Sequence, residues 1–557
     1  MSNSSAPGGY EPLASEVDQD VALPLPHRSR PRSNIQGHQR FLDTGGTLTT
    51  HPDGESYSYA YGPTGLAGLW FNKYALACAI WASIGGLTFG YDQGVIANIL
   101  VMKDFTQRFP VGPWEKGLLT AMLELGCLVG ALCAGIFADF FSRRQSIIIA
   151  CSVFCLGSAL QFAAQTIDAI VVGRAIGGLG VGALSMLSPL YMAEISPPEL
   201  RGSLMALEQF SIVSGAVLGF CAGFITRDVP GSASWRIPFG VQLIPGVLLA
   251  FGSSMLPPSP RLLVAHGRYD DALYALARLR KRTRQAAESD PLLRLELLEM
   301  RTEVLLIEQT FGITSKEGGF RGEVHAWGYL FRKKYLRRTL IGIMMMFFQQ
   351  WSGINAFLYY GPTLMRSLGL QGDTISLLVS GGVGVVQFLA VLPAILYIDR
   401  VGRKPLLRWG SSVMCFAHLC IALLVMQFDD QWPTVMAWTA VGCVYLFTAA
   451  YGVSYGPIGW ILPSEVFPLS VRSKGVALST ASNWFNNCYF WSTYVVPETA
   501  NVSLEEIDAV FGTSAGHEDT QLRRQIELDL GLPDFIANLT RDPDSQHVDP
   551  EDDRTSR

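Results

Sequence analysis

The sequence predicts an all-α polytopic membrane protein, and three observations carry that prediction. First, 49% of the 557 residues are hydrophobic and only 16% are charged, with a mean hydropathy of +0.26. A soluble enzyme of this length carries more charge. Second, apolar runs about as long as a bilayer is thick, ~20 residues, recur along the chain between polar loops. Third, motifs from the first half return in the second. The net charge of -5 identifies no partner, because the charges sit in loops and tails. It gives no sign of nucleic-acid binding. The ten cysteines lie in apolar segments without a CxxC pair, so they read as small apolar fillers. Nothing resembles a metal site or a nucleophile–base pair, so no cofactor and no enzyme activity are expected.

Residues 1–70 are rich in Ser, Pro, Gly and His and lack apolar periodicity. They are predicted to be a disordered cytoplasmic tail. Residues 71–259 hold six candidate spans, Tyr74–Leu100, Gly117–Ala138, Ser146–Ala164, Ala169–Met192, Leu204–Ile225 and Phe239–Met255. Residues 260–337 form a charged linker with amphipathic pieces at Asp270–Leu279 and Leu292–Leu306. Residues 338–496 hold Leu340–Leu364, Ile375–Ile398, Leu406–Met426, Val435–Leu462 and Val476–Val496, and residues 497–557 are a polar, acidic tail. Arg and Lys crowd alternate loops, among them Arg143/Arg144, Arg201, the linker, Arg403/Lys404 and Arg472/Lys474. That alternation places these loops and the N-terminus in the cytoplasm.

The repeat is legible. Gly135–Arg144 echoes Tyr397–Pro405, and Pro189–Gly202 echoes Leu462–Gly475. Two similar halves around a charged linker are a transporter architecture. The spacing differs at one place: Arg201 to Pro257 is about 56 residues, whereas Arg472 to Pro497 is about 25, too few for two crossings. The second half is therefore predicted to lack about one span, with its eleventh and twelfth helices fused just after Asn487. An odd number of crossings puts the tail outside, where Asn501-Val502-Ser503 and Asn538-Leu539-Thr540 are glycosylation sequons. A re-entrant last segment would keep the tail inside.

Within Leu340–Leu364 the stretch Phe347–Tyr360 reads FFQQWSGINAFLYY. On one helix Gln349, Gln350, Asn355 and Tyr359 would form an uncharged polar stripe. Buried amides need partners. Such a stripe serves either as glue between helices or as a site for a neutral polyhydroxylated ligand.

Two charged residues also lie inside spans, Asp92 in the first and Arg174 in the fourth. Separating a carboxylate from a guanidinium in a dry cavity favours protonation, so the pair could be a proton switch; the alternative is a permanent structural ion pair. Glu124 and Glu208 are further acids in apolar runs, readable as second protonation sites or as satisfied interior acids. His418 reads as a hydrogen-bonded core residue. The glycines Gly177, Gly178, Gly180 and Gly182 lack a following GK[ST], so they read as close helix packing.

Taken together, GYDQGV (Gly90–Val95), ADFFSRR (Ala138–Arg144), GRAIGGLGVG (Gly173–Gly182), YMAEISPPELRG, PPSPR, QQWSGINAFLYY, IDRVGRKP, YGPIGWILPSEVFP (Tyr455–Pro468) and PETANVSLEEID (Pro497–Asp508) resemble the sugar porter family of the major facilitator superfamily, fungal members above all. The resemblance implies a major facilitator fold of two six-helix bundles, alternating access, and a place in the plasma membrane as a monomer. By motif, it implies sugar contacts at Gln209, Gln349, Gln350, Asn355, Tyr359 and Trp460. It adds Gln387, where many relatives carry Asn, and Asn483, where many carry Gln or Asn. An Asp at position 92 implies proton symport. Asp139/Arg143/Arg144, Glu194/Arg201, Asp399/Arg403 and Glu465/Arg472 are implied to be cytoplasmic gating salt bridges, against the plainer reading of positive-inside charge. The chain departs from the family at Ser142, usually Gly, and at Pro258, usually Glu. The expected function is proton-coupled monosaccharide transport, with a facilitative uniporter or a non-transporting, sensor-like relative as alternatives.

Overall fold

The computed structural model describes residues 38–42, 46–50, 57–109, 112–283, 285, 289–311, 327–359, 361, 364–365, 368, 373–428, 432–467 and 471–494. The tail at 497–557, with both sequons, and residues 1–37 lie outside these. Residues 1–59 and 60–557 form separate compact units. In the first, His38–Phe41 pairs antiparallel with Thr47–Thr50, with His38 opposite Thr50. Tyr57–Ala60 completes a three-stranded sheet. This departs from the expected disorder. The run Thr47-Leu48-Thr49-Thr50 is rich in β-branched residues, and Gly46, at φ 122, adopts a turn conformation that other residues rarely take.

The second unit is helical, and its described residues outside the linker form eleven successive long segments. They are Lys73–Ile99, Pro113–Phe140, Arg143–Ala163, Ile167–Ile195, Arg201–Thr226, the pair Ala233–Val241 and Leu243–Ser253, the pair Lys333–Trp351 and Ile354–Tyr359, Asp373–Val401, Arg403–Phe428, the pair Thr434–Val453 and Tyr455–Val466, and Arg472–Tyr494. Among the described residues nine helices are long and apolar enough to cross a membrane. The seventh and eleventh segments fall short because they carry basic residues at one end and amides in the middle. The eleventh runs unbroken through the predicted join at Asn487.

Local sequence explains the boundaries. Ser142, the departure from glycine, caps the third segment: its hydroxyl accepts from Gln145 N, and Gln145 reaches back to Ser142 N. Thr166 caps the fourth segment by accepting from Ala169 N. The seventh breaks after Trp351 because Gly353 sits at φ 86, a left-handed conformation that ends a helix. The polar stripe expected on one continuous helix is therefore split across that break.

In the first half the fifth segment packs on the first, and the fourth on the second and third. The contact between first and fifth is so close that a Cβ on Gly90 would fall 1.7 Å from Ile212 O, and one on Gly215 2.3 Å from Leu87 O. Gly178 and Gly182 likewise meet Leu123 O and Cys127 O of the second segment. The halves join where the fifth packs on the eighth and the second on the eleventh. Between them runs an apolar core around Leu187, Leu190, Met205, Ile398 and Ile461. The linker folds into Pro260–Ala265, Tyr269–Leu279 and Pro291–Phe311. Buried Arg280 clamps it to the bundle, donating to Glu296 (2.7 Å) and to the carbonyl of Ile195 (2.8 Å).

Candidate functional site

Between the two halves lies a cavity lined by Gln93, Gln209, Gln349, Gln350, Asn355, Gln387 and Trp460, with Phe89, Leu358 and Tyr451 among its apolar walls. Its polar groups are almost all amides, and none of its lining residues is charged. Most of them are held by a neighbour. Trp460 Nε1 donates to Gln209 Oε1 at 3.1 Å, across the two halves. Gln349 Nε2 donates to Tyr455 O and Gly456 O (3.0 and 3.2 Å). Asn483 Nδ2 donates to Gln349 Oε1 at 2.8 Å. Asn355 Nδ2 bridges Gln350 Oε1 and Asn487 Oδ1. Held amides carry both donors and acceptors, and aromatic faces stand beside them, which suits a neutral polyol.

Of the eight predicted sugar residues, six line this cavity. Asn483 stands behind it on Gln349. Tyr359, fully turned away from the cavity lining, accepts from Gln93 Nε2 at 3.0 Å. Sequence reasoning missed Phe89, Gln93, Tyr451 and Asn487. Phe89 and Gln93 are four apart on one helical face, which was a usable signal; nothing local marks Tyr451.

One layer from the cavity, Arg174 Nη2 lies 3.2 Å from Asp92 Oδ2, and both side chains are buried. Arg174 Nε also donates to Leu119 O. Glu124 and Glu208 are buried too; neither oxygen of Glu208 has a hydrogen-bond partner among the described residues, and the Tyr359 hydroxyl stands beside Glu124. His418 Nε2 bonds Ser352 O at 3.0 Å, as a core histidine would.

At the other end two of the expected pairs form, Arg143 with Asp139 (3.4 Å) and Arg403 with Asp399 (3.1 Å), whereas the two glutamates take other partners than expected. Glu194 takes Arg143 (2.9 Å) and not Arg201. Glu465 takes Arg403 (2.6 Å), and Arg472 Nε donates to Phe467 O. Arg144 donates to Leu256 O. Glu194 and Arg201 flank the turn before the fifth segment and Glu465 and Arg472 the turn before the eleventh, and in each case an arginine from another segment reaches the acid instead. Two carboxylates then cross between halves. Asp399 accepts from Gly202 N, Ser203 N (2.8 Å) and Ser203 Oγ (2.7 Å) at the start of the fifth segment. Asp139 accepts from Ser473 Oγ (2.6 Å) and Lys474 Nζ at the start of the eleventh. Each carboxylate also sits at a helix N-terminus, where the dipole favours it.

Residues 78–493 match the family described as Sugar (and other) transporter. The chain is 32% identical over 453 residues to the probable glucose transporter rco-3 of Neurospora crassa, covering 79% of this chain and 73% of that one. It is 30% identical to the MFS glucose transporter mfs1 of Aspergillus flavus, covering 84% and 96%. Its fold is similar to that of the proton:xylose symporter XylE bound to 6-bromo-6-deoxy-D-glucose, with a TM-score of 0.64, 27% identity and coverage of 76% and 88%. With helical segments, an interior amide cavity and a family match over most of its length, this chain belongs to the sugar transporter family of the major facilitator superfamily, and it is a multi-pass membrane transporter and not an enzyme.

Proposed function

We propose that this chain carries a hexose together with a proton across the plasma membrane by alternating access. The observation that carries the reading is the uncharged amide cavity one layer from a buried Asp92–Arg174 pair. A neutral sugar finds donors, acceptors and aromatic faces in Gln209, Gln349, Gln350, Asn355, Gln387 and Trp460. Asp92 is the coupling acid: beside Arg174 it stays ionised, and once the helices part it takes up a proton. The cross-half contacts of Asp399 and Asp139 close the cytoplasmic mouth, and the Arg143–Glu194 and Arg403–Glu465 pairs brace the helix ends beside them. The names of the relatives favour glucose, and the symport of XylE favours a proton partner.

The test is reconstitution of the full chain in liposomes. An imposed inward proton gradient should drive D-glucose above its outside concentration, with proton entry in step. Equilibration of glucose with no accumulation and no proton entry would instead make the chain a facilitative uniporter.

A further inference from the structure

The Asp92–Arg174 pair does not stand alone. Glu124, on the second segment, is 1% exposed and lies within the field of Arg174 from the fourth segment and beside the Tyr359 hydroxyl from the seventh. Asp92 reaches the cluster from the first segment, and the Cys127 thiol lies one turn along from Glu124 on its own helix. These are the titratable and charged groups that face Glu124 from the elements around it. Formal charges in the cluster are therefore two acids against one guanidinium. With both acids ionised, one negative charge is left uncompensated in a dry interior, which is too costly to persist. One acid must hold a proton. Asp92 engages Arg174 through both carboxylate oxygens, at 3.5 and 3.2 Å. Among the described residues Glu124 has no cation on its carboxyl, only the neutral Tyr359 hydroxyl beside it.

The cluster is also wired to the sugar cavity. Tyr359 stands against Glu124 on one side and accepts from Gln93 on the other, and Gln93 lines the cavity. Tyr359 belongs to the six-residue helix after the Gly353 break, whose Ile354, Asn355 and Leu358 line the same cavity. A sugar that pulls on Asn355 moves Tyr359 with it.

We infer that Glu124 is a second proton site of this transporter, protonated in this conformation, and that Tyr359 is the positioning residue that reports sugar occupancy to it. The step is a simple association: the Glu124 carboxylate takes one proton to become the carboxylic acid, and it releases that proton when the Tyr359 helix shifts and lets water in. The inference rests on the proposed sugar site and extends the coupling machinery beyond Asp92.

Infrared difference spectroscopy on the purified full chain at neutral pH tests it without any transport. The Glu124→Gln spectrum minus wild type should show loss of a protonated-carboxyl stretch, whereas Asp92→Asn minus wild type should show loss of an ionised carboxylate. Glu208→Gln assigns the signal of the other acid buried without a cation. The reverse assignment, with Glu124 ionised and Asp92 protonated, overturns the proposal. Glu124→Asp is the second variant: it should shift the band and not remove it. Adding D-glucose should shift the Glu124 band in wild type and leave it in place in Tyr359→Phe. A band that ignores glucose in wild type overturns the link to the sugar site. The readings fail separately, since the spectrum assigns the proton whether or not the liposome assay shows accumulation.

Discussion

Asn483 Nδ2 donates to Gln349 Oε1 at 2.8 Å, and this single bond fixes how a cavity amide from the seventh segment is turned. With Oε1 held by Asn483 and Nε2 held by the carbonyls of Tyr455 and Gly456, Gln349 has one rotamer. Asn483→Ala should therefore weaken glucose binding although the residue does not line the cavity. Losing one buried amide contact costs ~1–3 kcal/mol, about tenfold to a hundredfold in affinity. Gln350→Ala should cost as much. Radiolabelled glucose binding to detergent-solubilised protein measures both, and unchanged affinity in Gln350→Ala would remove that amide from the site.

Asp92→Asn keeps the size of the side chain and removes the charge that holds Arg174. Uphill accumulation of glucose in liposomes should be lost, while exchange of labelled for unlabelled glucose down a gradient continues. A variant that still concentrates sugar with proton entry would clear Asp92 of the coupling role.

Asp399→Ala strips two backbone N–H groups and the Ser203 hydroxyl of their acceptor at once. The contact between the fifth and eighth segments should loosen at that end. A cysteine-reactive probe on the cytoplasmic side should then label an engineered cysteine at cavity residue Leu358 about tenfold faster, as expected from the loss of ~1.5 kcal/mol of closing energy. Labelling at the wild-type rate would show that these bonds do not hold the gate.

Glu296 sets a pH dependence outside the membrane. Burial alone would raise its pKa. The Arg280 guanidinium outweighs that, with the Tyr61 hydroxyl and Arg261 adding to it, and holds the carboxyl below its ordinary value. A depressed folded-state pKa means that the stabilisation is present at neutral pH and disappears as pH falls through that value. Acidification should release the helix Pro291–Phe311 from the bundle. Hydrogen exchange corrected for its intrinsic pH dependence should show this helix closed from neutral pH down to the ordinary glutamate value of 4.5 and opening only below it in wild type. Glu296→Gln should be open throughout and flat with pH.

The side of the C-terminal tail is decided by Asn538. Eleven crossings with the N-terminus inside would expose that sequon to the glycosylation machinery. Expression in a glycosylating cell should give an endoglycosidase-sensitive shift that Asn538→Gln abolishes. No shift, together with protection of the tail from external protease, would place it inside beside a re-entrant last segment.

The helical architecture was legible because each crossing needs a long apolar run. Six cavity residues were legible for a similar reason: an amide inside an apolar run has to be explained. What stayed hidden depends on where helices break and which neighbour arrives first. Nothing in the sequence of Phe347–Tyr360 alone forces the turn at Gly353, so Tyr359 could not be told from a cavity residue. Glu194 and Arg201 sit at a spacing that invites a pair, yet Arg143 reaches Glu194 from another segment. Hairpin strands at residues 38–50 were missed because the flanking stretch is rich in turn formers.

The first and fifth helices approach until backbone touches side-chain-free backbone at Gly90 and Gly215. Such a seam has no slack. One helix cannot slide past the other without a clash, and no flexible side chain is there to absorb a shear. The first half must therefore tilt as a single block, like a boat hull rather than a deck of cards. Rocking of that block falls on the seams between halves, where the fifth segment meets the eighth and the second meets the eleventh. Any side chain added at position 90 or 215 would push on the seam beside it, as a transporter whose two mouths open out of step.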